Sequence, residues 1–158
     1  MNRQDKAEEL FKSGYNCAQS TIGAYCDLFG LDFETAMKIT EGLGGGMGRL
    51  RLTCGAVTSM FILAGMKKSK AQAADLETRA EVYGMVQAMA KDFKELHGTV
   101  ICGELLGDML PSDGGSVPTK RDDEFYSKRP CVKCIRGCGA IIEKYLCREA
   151  RAVVRRNA

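Results

Sequence analysis

Between Thr53 and Met66 nearly every residue is apolar, so a helix formed by this segment has no polar face. Such a helix is stable in a soluble domain only when other elements surround it. The remaining apolar residues recur mostly at helical spacing. In no segment do apolar and polar residues alternate as they do in a half-buried strand. A chain of 158 residues with 45% hydrophobic content can bury one core. We therefore predict an all-α fold, a single-domain bundle of six to seven helices spanning residues 1–158.

Residues that start and stop helices divide the rest of the chain into six further predicted helices. These helices cover residues 3–13, 16–28, 32–42, 70–97, 99–106 and 131–154. The run from Gly42 to Gly48 is too rich in glycine for a regular helix and predicts a glycine-rich loop. Residues 108–129 contain two prolines and a glycine pair, which predicts a long irregular loop before the last helix.

The 70–97 helix is the longest predicted element. Ser69 and Gln72 have the spacing of a capping box, which predicts that they open this helix. The stripe predicted to face the core consists of Leu76, Ala80, Tyr83, Val86, Ala90 and Phe93. Because other apolar residues lie on different sides of the same helix, we expect a homodimer formed through it.

Four of the eight cysteines lie where a predicted helix begins: Cys17, Cys54, Cys102 and Cys131. Asn16 precedes the first of them and Thr53 the second, and both residue types cap helices. The unpaired N–H groups and the positive dipole end of a helix start stabilise a thiolate. Thiolates attack disulfides and bind metals. These four cysteines are therefore our candidate catalytic residues and, alternatively, our candidate metal ligands.

Cys131, Cys134 and Cys138 have C-x2-C-x3-C spacing, which places the three sulfurs on one face of a helix. A C-x-x-C pair at a helix start is typical of dithiol oxidoreductases, and the same spacing can hold iron or zinc. Cys134 and Cys138 are therefore supporting candidates. Free cysteine is also a common core residue, so burial in the core is the competing expectation for Cys26, Cys138 and Cys147.

The glycine run and its neighbours supply the other supporting candidates, which are Gly44, Gly45, Gly46, Arg49, Thr53 and His97. The glycines are expected to let the backbone pack closely against the sulfurs, or to bend so that Cys54 faces inward. Arg49 and Arg51 are interpreted either as partners of a thiolate or anionic substrate, or as solvated loop residues. His97, the single histidine, is interpreted as a last-turn residue, with a catalytic base as the alternative.

Charge and hydropathy argue against several classes of protein. A net charge of +3 without interleaved aromatic residues does not indicate nucleic-acid binding. No window approaches the roughly 20 apolar residues that a membrane span needs. The first ten residues mix charges and lack the apolar core of a secretory signal. We expect a cytoplasmic protein, in which eight cysteines are more typical of catalysis, redox sensing or metal binding than of permanent disulfides.

Several motifs occur in an order that is found in a known family. They are Phe11-x2-Gly14-Tyr-Asn-Cys17-Ala-Gln19, Gly44-Gly-Gly-Met-Gly-Arg49 ahead of Thr53-Cys54-Gly-Ala56, His97-Gly98 ahead of Cys102-Gly-Glu-Leu-Leu-Gly107, and Cys131. Over about residues 10–146 the chain resembles the bacterial C_GCAxxG_C_C family of redox-active proteins. The resemblance implies that Cys17, Cys54, Cys102 and Cys131 are the hallmark cysteines, and it names no substrate. Ser59 replaces the final glycine of the family motif, and Cys134 and Cys138 are additions to the hallmark set.

Three functions are consistent with these observations. The first is a thiol-based redox protein whose hallmark cysteines converge on one site and exchange disulfides or electrons with an unidentified protein or small molecule. The second is an iron-sulfur or other metal-binding electron carrier that uses the same cysteines. The third is a non-catalytic helical interaction protein. Whether the chain is an enzyme, and whether it uses a cofactor or thiols alone, stays open at this point.

Overall fold

The computed structural model describes residues 1–147, and its regular structure is helical. The helical elements are α1 (Arg3–Lys12), α2 (Cys17–Tyr25), α3 (Phe33–Glu41), α4 (Gly44–Met47), α5 (Gly55–Lys68), α6 (Leu76–His97), α7 (Cys102–Leu106), α8 (Asp123–Lys128) and α9 (Cys131–Leu146). Within these residues the β-type pairing is one isolated bridge between Thr53 and Ile101. The all-α prediction is confirmed. The part of the last predicted helix beyond residue 147 lies outside the described residues.

Helix α5 is the centre of the bundle. It packs against α2, α6 and α9, and most of its apolar side chains are buried, with Phe61 and Ile62 partly buried and Met66 exposed near its end. Its buried residues include Ala56, Val57, Met60, Leu63 and Ala64. The apolar segment of the sequence therefore occupies the position that its composition predicts. None of the helices within residues 1–147 is both long enough and apolar enough to cross a membrane.

Short polar side chains begin five of the helices. Asn2, Asn16, Asp32, Asp75 and Asp122 each accept a hydrogen bond from the backbone amide three residues further on. In α2 the cap is reciprocal, because the Gln19 side chain also accepts from the backbone N–H of Asn16. The start of α2 is therefore well determined, and Cys17 is its first residue.

Helix α6 starts later than the sequence predicts. The expected capping box at Ser69 and Gln72 is wrong, since Asp75 caps the helix and accepts from the amide of Thr78. The Ser69 hydroxyl instead accepts from the amide of Ala71, whose φ of 54° is left-handed. A left-handed residue cannot continue a right-handed helix, so the chain turns before α6 begins.

The predicted core stripe of α6 is correct only in the C-terminal half of the helix. Phe93 is buried and Val86 and Ala90 are partly buried, whereas Leu76 and Tyr83 are exposed. The face that enters the core instead carries Thr78 and Met89. Thr78 lies in the first turn of α6, so the N-terminal half of this helix is buried on a different side from the predicted stripe. The homodimer expected through this helix stays a prediction.

The long segment before the last helix is less irregular than the sequence predicts. Residues Gly107–Met109 form a 3-10 turn, and α8 forms within the expected loop. Asp122 caps α8, and the helix buries Phe125 against Phe11, with ring centroids 6.0 Å apart. A six-residue helix is too short to show a periodic pattern, so its sequence contains little more than the cap as a signal. Without the short glycine turn α4, which contains two left-handed residues, residues 1–147 form eight regular helices, one more than the upper expectation.

We predict that two truncations in α6 differ sharply in their effect on stability. Met89→Ala should lower the free energy of unfolding by about 2–5 kcal/mol, because it leaves a cavity in the core. Leu76→Ala should change it by less than about 0.5 kcal/mol, because that side chain is 66% exposed. Urea denaturation followed by circular dichroism measures both variants. Equal losses would contradict the observed orientation of α6.

Candidate functional site

One cavity of about 300 Å³ is lined by all four hallmark cysteines. Cys17, Cys102 and Cys131 are the first residues of α2, α7 and α9, and Cys54 immediately precedes α5. Helix starts from four separate parts of the chain therefore meet at one place. Cys134, one turn into α9, contributes a fifth sulfur to the lining. These five cysteines are thiols, not disulfides.

A short antiparallel pairing holds two of the helix starts together. The amide of Cys54 donates to the carbonyl of Val100 at 2.8 Å, and the amide of Cys102 donates to the carbonyl of Leu52 at 2.6 Å. Thr53 lies between these bonds and pairs with Ile101, so it does not cap α5 as the sequence suggests. Cys54 itself occupies the N-cap position. The pairing places Cys54 and Cys102 beside each other at the cavity.

Glycines 44 to 46 pass close to the cysteine-bearing segments, as the sequence predicts. Gly45 and Gly46 have φ of 66° and 68°, so the α4 turn is left-handed and not a regular helix. A Cβ on Gly46 would lie 2.6 Å from the Cβ of Cys102, and one on Gly44 would meet the side chain of Asn16 at 2.6 Å. Only glycine fits where the loop passes these two side chains.

Gly55 allows α2 and α5 to approach each other. A Cβ at this position would lie 2.7 Å from Cys17 Sγ and 2.8 Å from the carbonyl oxygen of Leu43. One turn later, the hydroxyl of Ser59 donates to the carbonyl of Ala18 at 2.7 Å. Ser59, which departs from the family motif, is therefore buried with its hydroxyl hydrogen-bonded across the same helix pair.

Hydrogen bonds between thiols and burial raise the pKa of all four hallmark cysteines, which reverses the expectation that helix starts favour the thiolate. The side-chain hydrogen bond with Cys54 and the loss of water hold the pKa of Cys17 well above its usual range. The amides of Gly45 and Gly55 act in the opposite direction but do not prevail. Hydrogen bonding to Cys134 raises the pKa of Cys54 to about 12, and burial raises that of Cys131 to about 12. Cys17, Cys54 and Cys131 are therefore protonated at neutral pH.

Cys102 has the most favourable surroundings for ionisation. Burial raises its pKa, and the Arg51 guanidinium, whose Nη1 donates to Cys102 Sγ at 3.8 Å, makes that increase smaller. Cys102 is partly exposed, as are Cys17 and Cys131, whereas Cys54 and Cys134 are buried. Within residues 1–147, Cys102 is the hallmark cysteine whose sulfur accepts a hydrogen bond from an arginine.

Four arginines line the same cavity, and the sequence motifs indicated such a role for Arg49 and Arg51. Arg49 and Arg51 follow the glycine run, and Arg129 precedes Cys131 by two residues. Arg121 was missed. It donates to the carbonyls of Phe11 and Tyr15, and its guanidinium lies 4.5 Å from the centre of the Phe11 ring. No local sequence signal connects it with helix α1.

Four of the supporting candidates lie outside the cavity lining: Gly46, Thr53, Cys138 and His97. Cys138 is completely buried in the core, and His97 packs against Phe93 with ring centres 4.5 Å apart. The Nε2 atom of His97 is buried beside Gly137, and burial lowers the pKa of the imidazole. Among residues 1–147, no three His, Cys, Asp or Glu side chains are grouped so that they could hold a metal ion. The metal-binding alternative gains no support from this geometry.

The sequence profile of one family matches residues 15–145, which include all four helix-start cysteines and the glycine loop. That family is described as "Putative redox-active protein (C_GCAxxG_C_C)". The chain belongs to this family. No curated protein and no solved structure shows significant similarity to it. Membership in the C_GCAxxG_C_C family agrees with the motifs quoted above, and it leaves the substrate and the reaction to be argued from the cavity.

We predict that an added methyl group at Gly55 destabilises the site. Gly55→Ala should lower the free energy of unfolding by about 1–3 kcal/mol, because the new Cβ meets a sulfur and a backbone carbonyl. Gly65→Ala is the matched control in the same helix, since a Cβ there meets no atom within 4 Å. It should be neutral or stabilising by up to about 1 kcal/mol. Urea denaturation compares them, and an unchanged Gly55→Ala protein would contradict the close contact.

We also predict that alkylation of the cavity thiols depends on pH in an unusual way. A raised pKa leaves less thiolate at a given pH, so iodoacetamide should label Cys54 and Cys131 at rates that still increase several-fold between about pH 10 and about pH 11. Cys102 should react first. Mass spectrometry of digested protein measures each site. In the control, protein unfolded in urea, the rates should have their midpoint near about pH 8.5 and level off by about pH 10. The same midpoint for Cys54 and Cys131 in the folded protein would contradict the raised pKa values.

Proposed function

We propose that the protein is a thiol-based redox protein that exchanges disulfides with a substrate in the cysteine-lined cavity. One observation carries this proposal: Cys17, Cys54, Cys102 and Cys131 come from four different helix starts and line a single cavity. A fold that needed cysteines only as small apolar residues would have no reason to collect them at one accessible opening. The family description as redox-active supports the same conclusion.

In the proposed reaction, Cys102 makes the first attack. Its thiolate, with Arg51 beside it, attacks one sulfur of a substrate disulfide, and the substrate S–S bond breaks. A mixed disulfide forms on Cys102, and the released thiolate takes up a proton. A second protein thiol then loses its proton and attacks Cys102 Sγ, which releases the other substrate thiol. The substrate gains two electrons and two protons, and the protein gains one internal disulfide.

Cys17 is our choice for the second thiol. A charge on Cys17 raises the pKa of Cys102, which indicates that the two sulfurs are electrostatic neighbours. Cys17 is also hydrogen-bonded to Cys54, and Cys54 to Cys134, so exchange can pass the disulfide inward along this row of sulfurs. Cys131 faces the same cavity as a second candidate for this step.

Several features of the proposal stay predictions. They include a redox partner protein or small molecule that restores the thiols, a cytoplasmic location and a homodimer. If such a partner regenerates the thiols repeatedly, the protein acts as an enzyme. A single exchange would make it a redox sensor.

We predict distinct outcomes when the fully reduced wild-type protein and its serine variants are incubated with 2-hydroxyethyl disulfide in the absence of oxygen. Wild-type protein should lose two thiols and form one internal disulfide. Cys102→Ser should lose most of this reaction, and Cys17→Ser should accumulate the mixed disulfide because the second attack is impaired. Cys26→Ser is the matched control, since Cys26 is a core residue outside the cavity and should leave the reaction unchanged.

Intact-mass spectrometry distinguishes the mixed from the internal disulfide, and circular dichroism checks that each variant is folded. Normal oxidation of folded Cys102→Ser would overturn the assignment of the attacking thiol. If wild-type protein does not react at all, the proposed function fails, and the non-catalytic helical protein becomes the better explanation.

A further inference from the structure

The cavity carries much more positive than negative charge. Arg49, Arg51, Arg121 and Arg129 all line it, whereas within residues 1–147 Glu41 is the one carboxylate in the lining. This local excess of positive charge is large compared with the total charge of the protein, which is only +3. Like charges that are collected in one place repel each other, and an anion bound among them relieves this repulsion.

Most of these arginines are held by neutral groups. Arg121 donates to two backbone carbonyls, and Arg129 stacks on the Phe125 ring at 4.3 Å and donates to the Thr119 hydroxyl at 3.5 Å. Within residues 1–147, the side-chain hydrogen bond that Arg51 donates goes to the sulfur of Cys102. Neutral partners orient a guanidinium but leave its charge uncompensated. Planar guanidinium groups held in this way are suited to bind carboxylates through paired hydrogen bonds.

Arg49 has a different role at the same cavity. It is nine-tenths buried and donates to the Gly115 carbonyl and the Thr119 hydroxyl, and it forms an ion pair with Asp113 at 3.4 Å. These bonds tie the segment 113–119 to the glycine loop beside the opening. Residues of that segment, including Pro118 and Thr119, contribute to the cavity lining. The opening is therefore bordered by a tethered loop, which favours a small molecule over a folded protein surface.

The remaining lining is apolar and strengthens the electrostatic attraction. Phe11, Leu105, Leu106 and Phe125 contribute hydrocarbon surface. Arginine charges beside such surface are screened less than charges in open water. Burial lowers the pKa of Arg129, in agreement with a shortage of water around its guanidinium.

We propose that the substrate of this site is a small-molecule disulfide that bears carboxylate groups. The proposal rests on the function proposed above and adds the substrate class. Arg51 and Arg129 bind a carboxylate and bring the substrate S–S bond to Cys102. The reaction balances as before: two protein thiols become one disulfide, and the substrate disulfide becomes two carboxylate-bearing thiols. Arg51 acts twice, since it attracts the anion and lowers the pKa of the attacking thiol.

Three disulfides of similar size separate charge recognition from plain thiol chemistry. They are dithiodiglycolate with two negative charges, 2-hydroxyethyl disulfide with none, and cystamine with two positive charges. In the absence of oxygen, each disulfide is used to oxidise the reduced protein, and the rate is measured. That rate is then divided by the rate at which the same disulfide oxidises free cysteine. The normalised rates should fall in the order given, by about tenfold or more from the dianion to the neutral compound.

Substitution of the arginines tests the assignment directly. Arg51→Met and Arg129→Met should each reduce the ratio of dianion rate to neutral rate several-fold, and Arg51→Lys should restore most of it. A loss of thiol reactivity alone would change both rates and leave their ratio intact, so the ratio reports anion binding. Arg79→Met is the matched control, because Arg79 is exposed on α6 and does not line the cavity.

Salt dependence gives a second test that needs no variant. Added sodium chloride should slow the dianion and accelerate the dication, with little effect on the neutral compound. Equal normalised rates for the three disulfides, without a salt effect, would overturn the substrate class while the disulfide exchange stands. A protein that reacts with none of the three would overturn the proposed function itself.

Discussion

The packing of the Cys17 sulfur against Gly55 determines how α2 and α5 meet, and the cavity depends on that contact. A side chain at residue 55 would collide with Cys17 Sγ and with the carbonyl of Leu43. Because α5 is the buried centre of the bundle, the contact also places Cys17 relative to Cys54, the residue just before Gly55. The pairing between residues 53 and 101 then brings Cys102 to the same point. The site is thus a product of close backbone packing and not of a flexible loop.

At these sulfurs, hydrogen bonds between thiols and burial oppose helix-start electrostatics, and the pKa values rise. Backbone amides at the start of a helix lower a thiol pKa, but that effect is smaller here than the other two together. Cys17, Cys54 and Cys131 therefore stay protonated, and one further sulfur, Cys102, has a guanidinium beside it. The other arginines are oriented by carbonyls, a hydroxyl and aromatic rings, and together they give the cavity its charge. An anionic substrate matches both the charge and the chemistry of such a space.

Local sequence signals predicted much of this architecture. The apolar segment from Thr53 to Met66 gave the central helix, and the Asn16 cap located the start of α2 to within one residue. The same kind of reasoning failed at α6, where Ala71 adopts a left-handed conformation that its own sequence does not require. Helix α8 was missed because six residues are too few for periodicity, and Arg121 because its partners lie more than 100 residues away.

The sequence by itself determined the helices and which cysteines begin them, because caps, glycines and apolar periodicity act within a few residues along the chain. Only the tertiary structure decided that four of these sulfurs share a cavity, and that Cys138 and His97 lie outside its lining. It also decided that the thiol pKa values increase instead of falling. Ionisation depends on water exclusion and on charges from remote segments, and both exist only when the chain is folded.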